Sequence, residues 1–157
     1  MRVFHAAGIV LLAAVSVLPG CAGSGGGGGG GGPKCKAPAQ PTISYANNVQ
    51  PIYNRSCAVA AGCHASSGPA QGLDLSAGKS YGQSVNVKST EQPKLKRIDP
   101  GKPDSSYIVQ KIEGTPGISG VLMPQGCPGT PLNGAQCLSA DDISCIRQWV
   151  TECAPNN

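Results

Sequence analysis

The chain has 157 residues, eight of them cysteine, a formal net charge of +4 and 13% charged residues. That mild charge, with no dense Lys/Arg block, excludes nucleic acid as an expected partner. One Trp, one Phe and four Tyr are too few large side chains for a self-sufficient core. Disulfides, a large buried cofactor, or both are expected to supply the missing stability.

Residues 1–20 read as a secretory leader. Arg2 is the positive end, and the apolar stretch from Val3 to Leu18 is too short for a typical membrane span. Leu18-Pro19-Gly20-Cys21 resembles a bacterial lipobox, in which Cys21 is lipidated after cleavage; Pro19 is unusual there. Ordinary cleavage near Gly20, leaving Cys21 as a thiol, is the competing reading. The glycines from Gly25 to Gly32 bury nothing and form a flexible tether. The expected organisation is a signal peptide over 1–20, lipid anchor and tether over 21–44, and one domain over 45–157. Such a protein is held at a membrane of the bacterial cell envelope, on the periplasmic or outer-membrane side.

The domain opens with Val49, Ile52 and Tyr53 at helical spacing. Pro51 is tolerated only near a helix start, so the pattern predicts a short helix over 45–56, running directly into Cys57. Residues 65–69 are a loop, and Gly72-Leu73-Asp74-Leu75 is a short extended or turn segment. A second short helix is expected over 79–85, and irregular surface over 88–103. Pro103 and Asp104 read as a helix start, followed by Tyr107, Ile108, Lys111 and Ile112 at helical spacing and stopped by Gly114 and Pro116. Residues 117–131 are coil around Met123-Pro124. Ser139 is an N-cap with two acids in the first turn. It opens a helix with Ile143, Ile146 and Val150 on one face, ending near Thr151 or Glu152. No alternating pattern suggests strands. The expected fold is all-α, with about four short helices and long loops packed around a cofactor.

Chemistry concentrates in Cys57-Ala58-Val59-Ala60-Ala61-Gly62-Cys63-His64. A c-type haem needs two thiols, a histidine after the second, and often a distal methionine whose sulfur raises the iron's potential. His64 and Met123 are the only histidine and methionine outside the leader, and Met123 sits in a Gly/Pro loop rather than on a helix face. The spacing is C-x5-C-H rather than C-x-x-C-H, so three extra residues must bulge between the thiols. The side chains from Ala58 to Gly62 are small enough for that. A Cys57–Cys63 disulfide with a surface His64 is the competing reading.

From about Tyr45 to Ala154 the chain resembles the monohaem cytochrome c-like domains of bacterial exported lipoproteins. The matching blocks are Val49-Gln50-Pro51-Ile52-Tyr53, Cys63-His64, Gly72-Leu73-Asp74-Leu75, and Asp99-Pro100-Gly101-Lys102-Pro103-Asp104-Ser105-Ser106-Tyr107. Lys111-Ile112-Glu113-Gly114, Met123-Pro124, Leu138-Ser139 and Ile146-Arg147-Gln148-Trp149-Val150 complete them. The resemblance implies a cytochrome c bundle with first and last helices crossing. It implies haem c bound through thioethers at Cys57 and Cys63, with His64 and Met123 as axial iron ligands. Arg97, Ser106, Tyr107 and Lys111 are candidates for binding the haem propionates, with plain surface polarity as the alternative.

Five cysteines remain. Cys127 and Cys137 bracket the Pro/Gly loop after Met123 and are the favoured disulfide. Cys145 and Cys153 lie about 12 Å apart on a continuous helix, too far for a bridge; they pair only if the tail unwinds. Cys35–Cys153 is the other option, and Cys35 is a candidate for intermolecular pairing. Zinc fits poorly, since there is no C-x-x-C and one histidine.

Three functions compete. A His/Met-ligated iron has no open position, which points to an electron carrier serving redox partner proteins in the envelope rather than to an enzyme. A haem peroxidase needs an open site, which Met123 argues against. The alternative is a cofactor-free, disulfide-stapled envelope lipoprotein acting as a binding or structural module. No Ser-His-Asp triad or phosphate loop is present, and no catalytic residue is expected.

Overall fold

The computed structural model describes Cys35 and residues 37–157. The expected leader, the lipid-bearing Cys21 and the glycine run lie outside these residues. Among the described residues the secondary structure is helical, and β-pairing is confined to isolated bridges. Four α-helices are present: α1 (Gln50–Ser56), α2 (Ser80–Ser84), α3 (Tyr107–Glu113) and α4 (Ala140–Thr151).

The first expected helix is realised in two parts. A π-helical turn over Tyr45–Val49 leads into α1, with Ser44 as the cap whose side chain accepts from the Asn47 N–H. Tertiary bonds hold the wider turn, because Ala46 N donates to the Asn157 carbonyl and Tyr45 N to the Asn157 side chain. Val49, Ile52 and Tyr53 bury their side chains, as their spacing dictates.

α3 ends at Gly114, whose φ of +68° closes the helix in the left-handed region. The tip of the Leu122 side chain lies 2.9 Å from where a Cβ would stand, a contact this flexible side chain can relieve, so it is the backbone conformation that calls for glycine. α4 starts on a full capping box: Ser139 Oγ accepts from Asp142 N while Asp142 Oδ2 accepts from Ser139 N. Its buried face is Cys145, Ile146, Trp149 and Val150.

The core joins α1, α3 and α4 with Ile43, Leu73, Leu75 and Ile98. Trp149 is its centre. Its ring lies 5.1 Å from that of Tyr45, which in turn lies 5.2 Å from Tyr81. The indole N–H donates to the Pro155 carbonyl.

Residues just before Tyr45 also pack against the helices. Ile43 is 4% exposed. Glu152 accepts from Thr42 N at 3.0 Å, Ile43 N at 3.1 Å and the Thr42 hydroxyl. Cys35 is bonded to Cys153 within the chain, so its expected candidacy for intermolecular pairing is corrected. The physical reason is the tail: Cys153 (φ +71°) and Ala154 (φ +48°) turn the chain back just after α4.

Candidate functional site

The end of α1 sets the site. Cys57 N and Ala58 N both donate to the Tyr53 carbonyl, at 2.9 and 2.8 Å, which stops the helix. The five residues after Cys57 loop out, and the chain returns so that His64 N donates to the Cys57 carbonyl at 3.0 Å. Gly62, at φ +82°, makes the return. The long gap between the thiols is therefore a closed bulge.

His64 is held on three sides. Besides its N–H, its carbonyl accepts from Leu75 N at 2.7 Å, and its Nδ1 lies 3.0 Å from the Leu73 carbonyl. The Nδ1–H tautomer satisfies that contact and leaves Nε2 as the lone-pair nitrogen. Burial pushes the imidazole pKa down, opposed by the Leu73 and Ala70 backbone bonds, which favours the neutral ring that a metal needs. Asp74 stitches the loop beneath: it accepts from Ser66 Oγ at 2.7 Å and Ser76 N at 2.9 Å, and those bonds hold its carboxyl low.

Cys57 and Cys63 carry free thiols. Burial, reinforced by the neighbouring Cys63 sulfur, pushes the Cys57 thiol up to about 12, so it is protonated at neutral pH. Cys63 Sγ accepts from the Asn133 side-chain N–H at 3.3 Å.

The Met123 loop is fastened to α3. Met123 N donates to the Lys111 carbonyl at 2.9 Å, Lys111 Nζ donates to the Ser119 carbonyl at 2.6 Å, and Ser119 N donates to the Tyr107 hydroxyl at 2.9 Å. Cys127 and Cys137 form a disulfide just beyond it. Gly126, at φ +96°, lies so close to the Thr130 carbonyl that no Cβ fits.

Cys57, Cys63, His64 and Met123 all line one cavity of about 300 Å³, the lower end of the range for ligand sites. The thiols and the imidazole come from the bulge after α1, the thioether from the coil after α3. Among the described residues no three His, Cys, Asp or Glu side chains converge to hold a bare ion. The donors surround a volume rather than a point.

Arg97 also lines the cavity and is 6% exposed. Its guanidinium donates to the carbonyls of Gln83 at 2.8 Å, Gln71 at 3.1 Å and Gly72 at 3.2 Å. No described carboxylate pairs with it; burial lowers its pKa, and arginine stays charged regardless. Tyr107 and Lys111 line the cavity as well, with Lys111 3.7 Å from Glu91. Ser106 does not belong with them. Its hydroxyl serves the turn before α3, accepting from Asp99 N at 2.8 Å and donating to the Lys102 carbonyl at 2.9 Å.

Sequence reasoning missed Ser56, Glu91 and Asn133 in the lining. Asn133-Gly134 carried the one available signal, a polar residue suited to positive φ, and Asn133 does sit at φ +57°. Ser56 Oγ is buried with no partner among the described residues.

Compared with known families, curated proteins and solved structures, the chain has no match in any of the three.

Proposed function

We propose that the cavity holds haem c and that the domain is an electron carrier of the cytochrome c type, tethered through a lipid on Cys21 to a membrane of the cell envelope. The observation that carries this is the gathering of both free thiols, the one histidine and the one methionine of the described chain around a single cavity. The donor set fits the group on chemical grounds. The thiols suit covalent attachment, and imidazole with thioether suits axial ligation. The buried guanidinium of Arg97 lacks a counter-charge that a propionate would supply. Packing of α4 against the turn that opens α1 suits the crossed first and last helices of that fold.

Haem would supply one-electron chemistry at iron. The chain's own residues do the rest. Cys57 and Cys63 would hold the group covalently through their free thiols. His64 presents Nε2, its orientation fixed by Leu73. Met123 presents sulfur from a loop that the Lys111 and Tyr107 contacts and the Cys127–Cys137 bridge keep from wandering. With His64 and Met123 both holding the iron, the protein would leave it no position for substrate, which suits electron transfer rather than catalysis.

Spectroscopy of protein made in a host that matures c-type haem tests this. The expected result is sharp absorption bands on reduction and a methionine–iron band in the oxidised form. Met123→Ala should abolish the methionine band and leave high-spin iron. Unchanged bands in that variant would remove Met123 from the iron, and colourless protein would remove the haem.

A further inference from the structure

In an α-helix each N–H bonds the carbonyl four residues earlier. A thiol, two residues, a second thiol and a histidine fit one such turn, with the histidine four places after the first thiol. His64 stands seven places after Cys57, yet its N–H donates to the Cys57 carbonyl at 3.0 Å. That is the bond an uninterrupted turn would make, closed here over three surplus residues.

The surplus residues can be named. The cavity lining includes Cys57 and then passes to Gly62, Cys63 and His64; none of Ala58, Val59, Ala60 and Ala61 belongs to it. Ala58 has its own task, since it packs on the core and its N–H donates to the Tyr53 carbonyl at the end of α1. Val59, Ala60 and Ala61 remain, as many residues as separate C-x5-C-H from C-x-x-C-H. Among the described residues their N–H groups donate to no backbone carbonyl, and the one backbone bond they accept runs from Cys63 N to the Ala60 carbonyl at 3.1 Å. Gly62 brings the chain back at φ +82°, with open space where a Cβ would stand. Backbone conformation alone calls for glycine there.

We infer that Val59, Ala60 and Ala61 are an insertion carried outside the haem site, and that Cys57, Cys63 and His64 act as one C-x-x-C-H attachment unit that presents both thiols and the imidazole to one edge of the group. The inference rests on the haem reading and deepens it: the unusual spacing neither takes a thiol out of reach nor displaces the histidine.

Deleting Val59, Ala60 and Ala61 leaves Cys57-Ala58-Gly62-Cys63-His64. The full protein so shortened, matured in a host that attaches haem to C-x-x-C-H, should carry one haem, no alkylatable thiol and the absorption bands of the wild type. Gly62→Ala supplies a readout that needs no haem. In the wild type it puts a side chain in the left-handed region and should raise the unfolded fraction about tenfold in chemical denaturation. In the shortened chain the same position falls inside a helical turn, so alanine should lower that fraction about threefold. A further variant keeps every native residue: two glycines added between Ala60 and Ala61 should change the unfolded fraction by no more than about twofold. A lost methionine–iron band or a free thiol in the shortened chain, the same sign for Gly62→Ala in both backgrounds, or a loss of about tenfold on lengthening overturns the insertion. Colourless wild-type protein overturns the haem reading instead, and the sign of the Gly62→Ala effects still reports the turn.

Discussion

Arg97 stands in the sequence beside Lys94 and Lys96, a cluster that reads as a solvated basic face. The fold separates the three: Lys94 is exposed and Arg97 is buried against the cavity. Nothing local in the sequence marks that difference, since burial of the guanidinium depends on carbonyls contributed by Gln71, Gly72 and Gln83. The pair of readings for His64 shows the reverse. Its position after Cys63 was enough to single it out, although the Leu73 carbonyl that orients it is supplied only by the fold. A buried cation without a carboxylate has a testable consequence. Arg97→Met should be tolerated better in haem-free than in haem-bearing protein, because only the latter loses an opposite charge; breaking a desolvated pair costs about 3–5 kcal/mol. Chemical denaturation of the two forms measures it, and an equal loss in both would detach Arg97 from the ligand.

Among the elements, α4 was legible almost to the residue. Its capping box and its Ile143, Ile146, Val150 stripe are local signals, and Trp149 beside them sits at the core's centre. Trp149→Ala should cost about 3–5 kcal/mol in equilibrium unfolding. The π-helical turn was not legible, because Asn157, far along the chain, holds it. The Cys35–Cys153 bridge was named in the sequence only as one option among others, and the turn at Cys153 and Ala154, both at positive φ without being glycine, goes with it in the fold. The carboxylate of Glu152 belongs to the same region. Burial alone would raise its pKa, but bonds from Thr42, Gln148 and Ile43 outweigh this and leave it below the ordinary value. The unfolded chain therefore binds its proton more readily than the native one. Glu152 contributes stability that is complete above the unfolded value of about 4.3 and fades as pH falls through the lower native value. Wild-type protein should outlast Glu152→Gln at pH 7, and the two should converge in acid; a gap independent of pH would contradict this. The Cys127–Cys137 bridge closes a loop ten residues apart in sequence. Replacing both cysteines with serine should cost about 2–3 kcal/mol and weaken the methionine–iron band, since the loop beyond Met123 is then free to move.

At the scale of the molecule, composition forecast a core in need of help, and the fold divides the work. One part is a conventional cluster around Trp149 joining α1, α3 and α4. The other is the cavity, walled in large part by coil from 57–75 and 117–135 and by residues of α3. Long coil of this kind normally counts against a compact domain, and a central group is what those walls would pack upon. The all-α class followed from helical spacing and the absence of alternation. The shape of the cavity did not, because it arises from how the bulge after Cys57 and the coil after α3 face each other. Removing haem should therefore act unevenly. Amide exchange at α4 should stay slow, while exchange across 57–75 and 117–135 should rise by orders of magnitude toward that of open loops.

The most direct measurement is the mass of one peptide. Trypsin cuts after Arg55 and Lys79 and nowhere between, so a single fragment carries Cys57, Cys63 and His64. From protein matured in a haem-attaching host, the fragment should bear the mass of one haem and no alkylatable thiol. A fragment recovered at its bare mass, with two free thiols or an internal disulfide, would contradict the account.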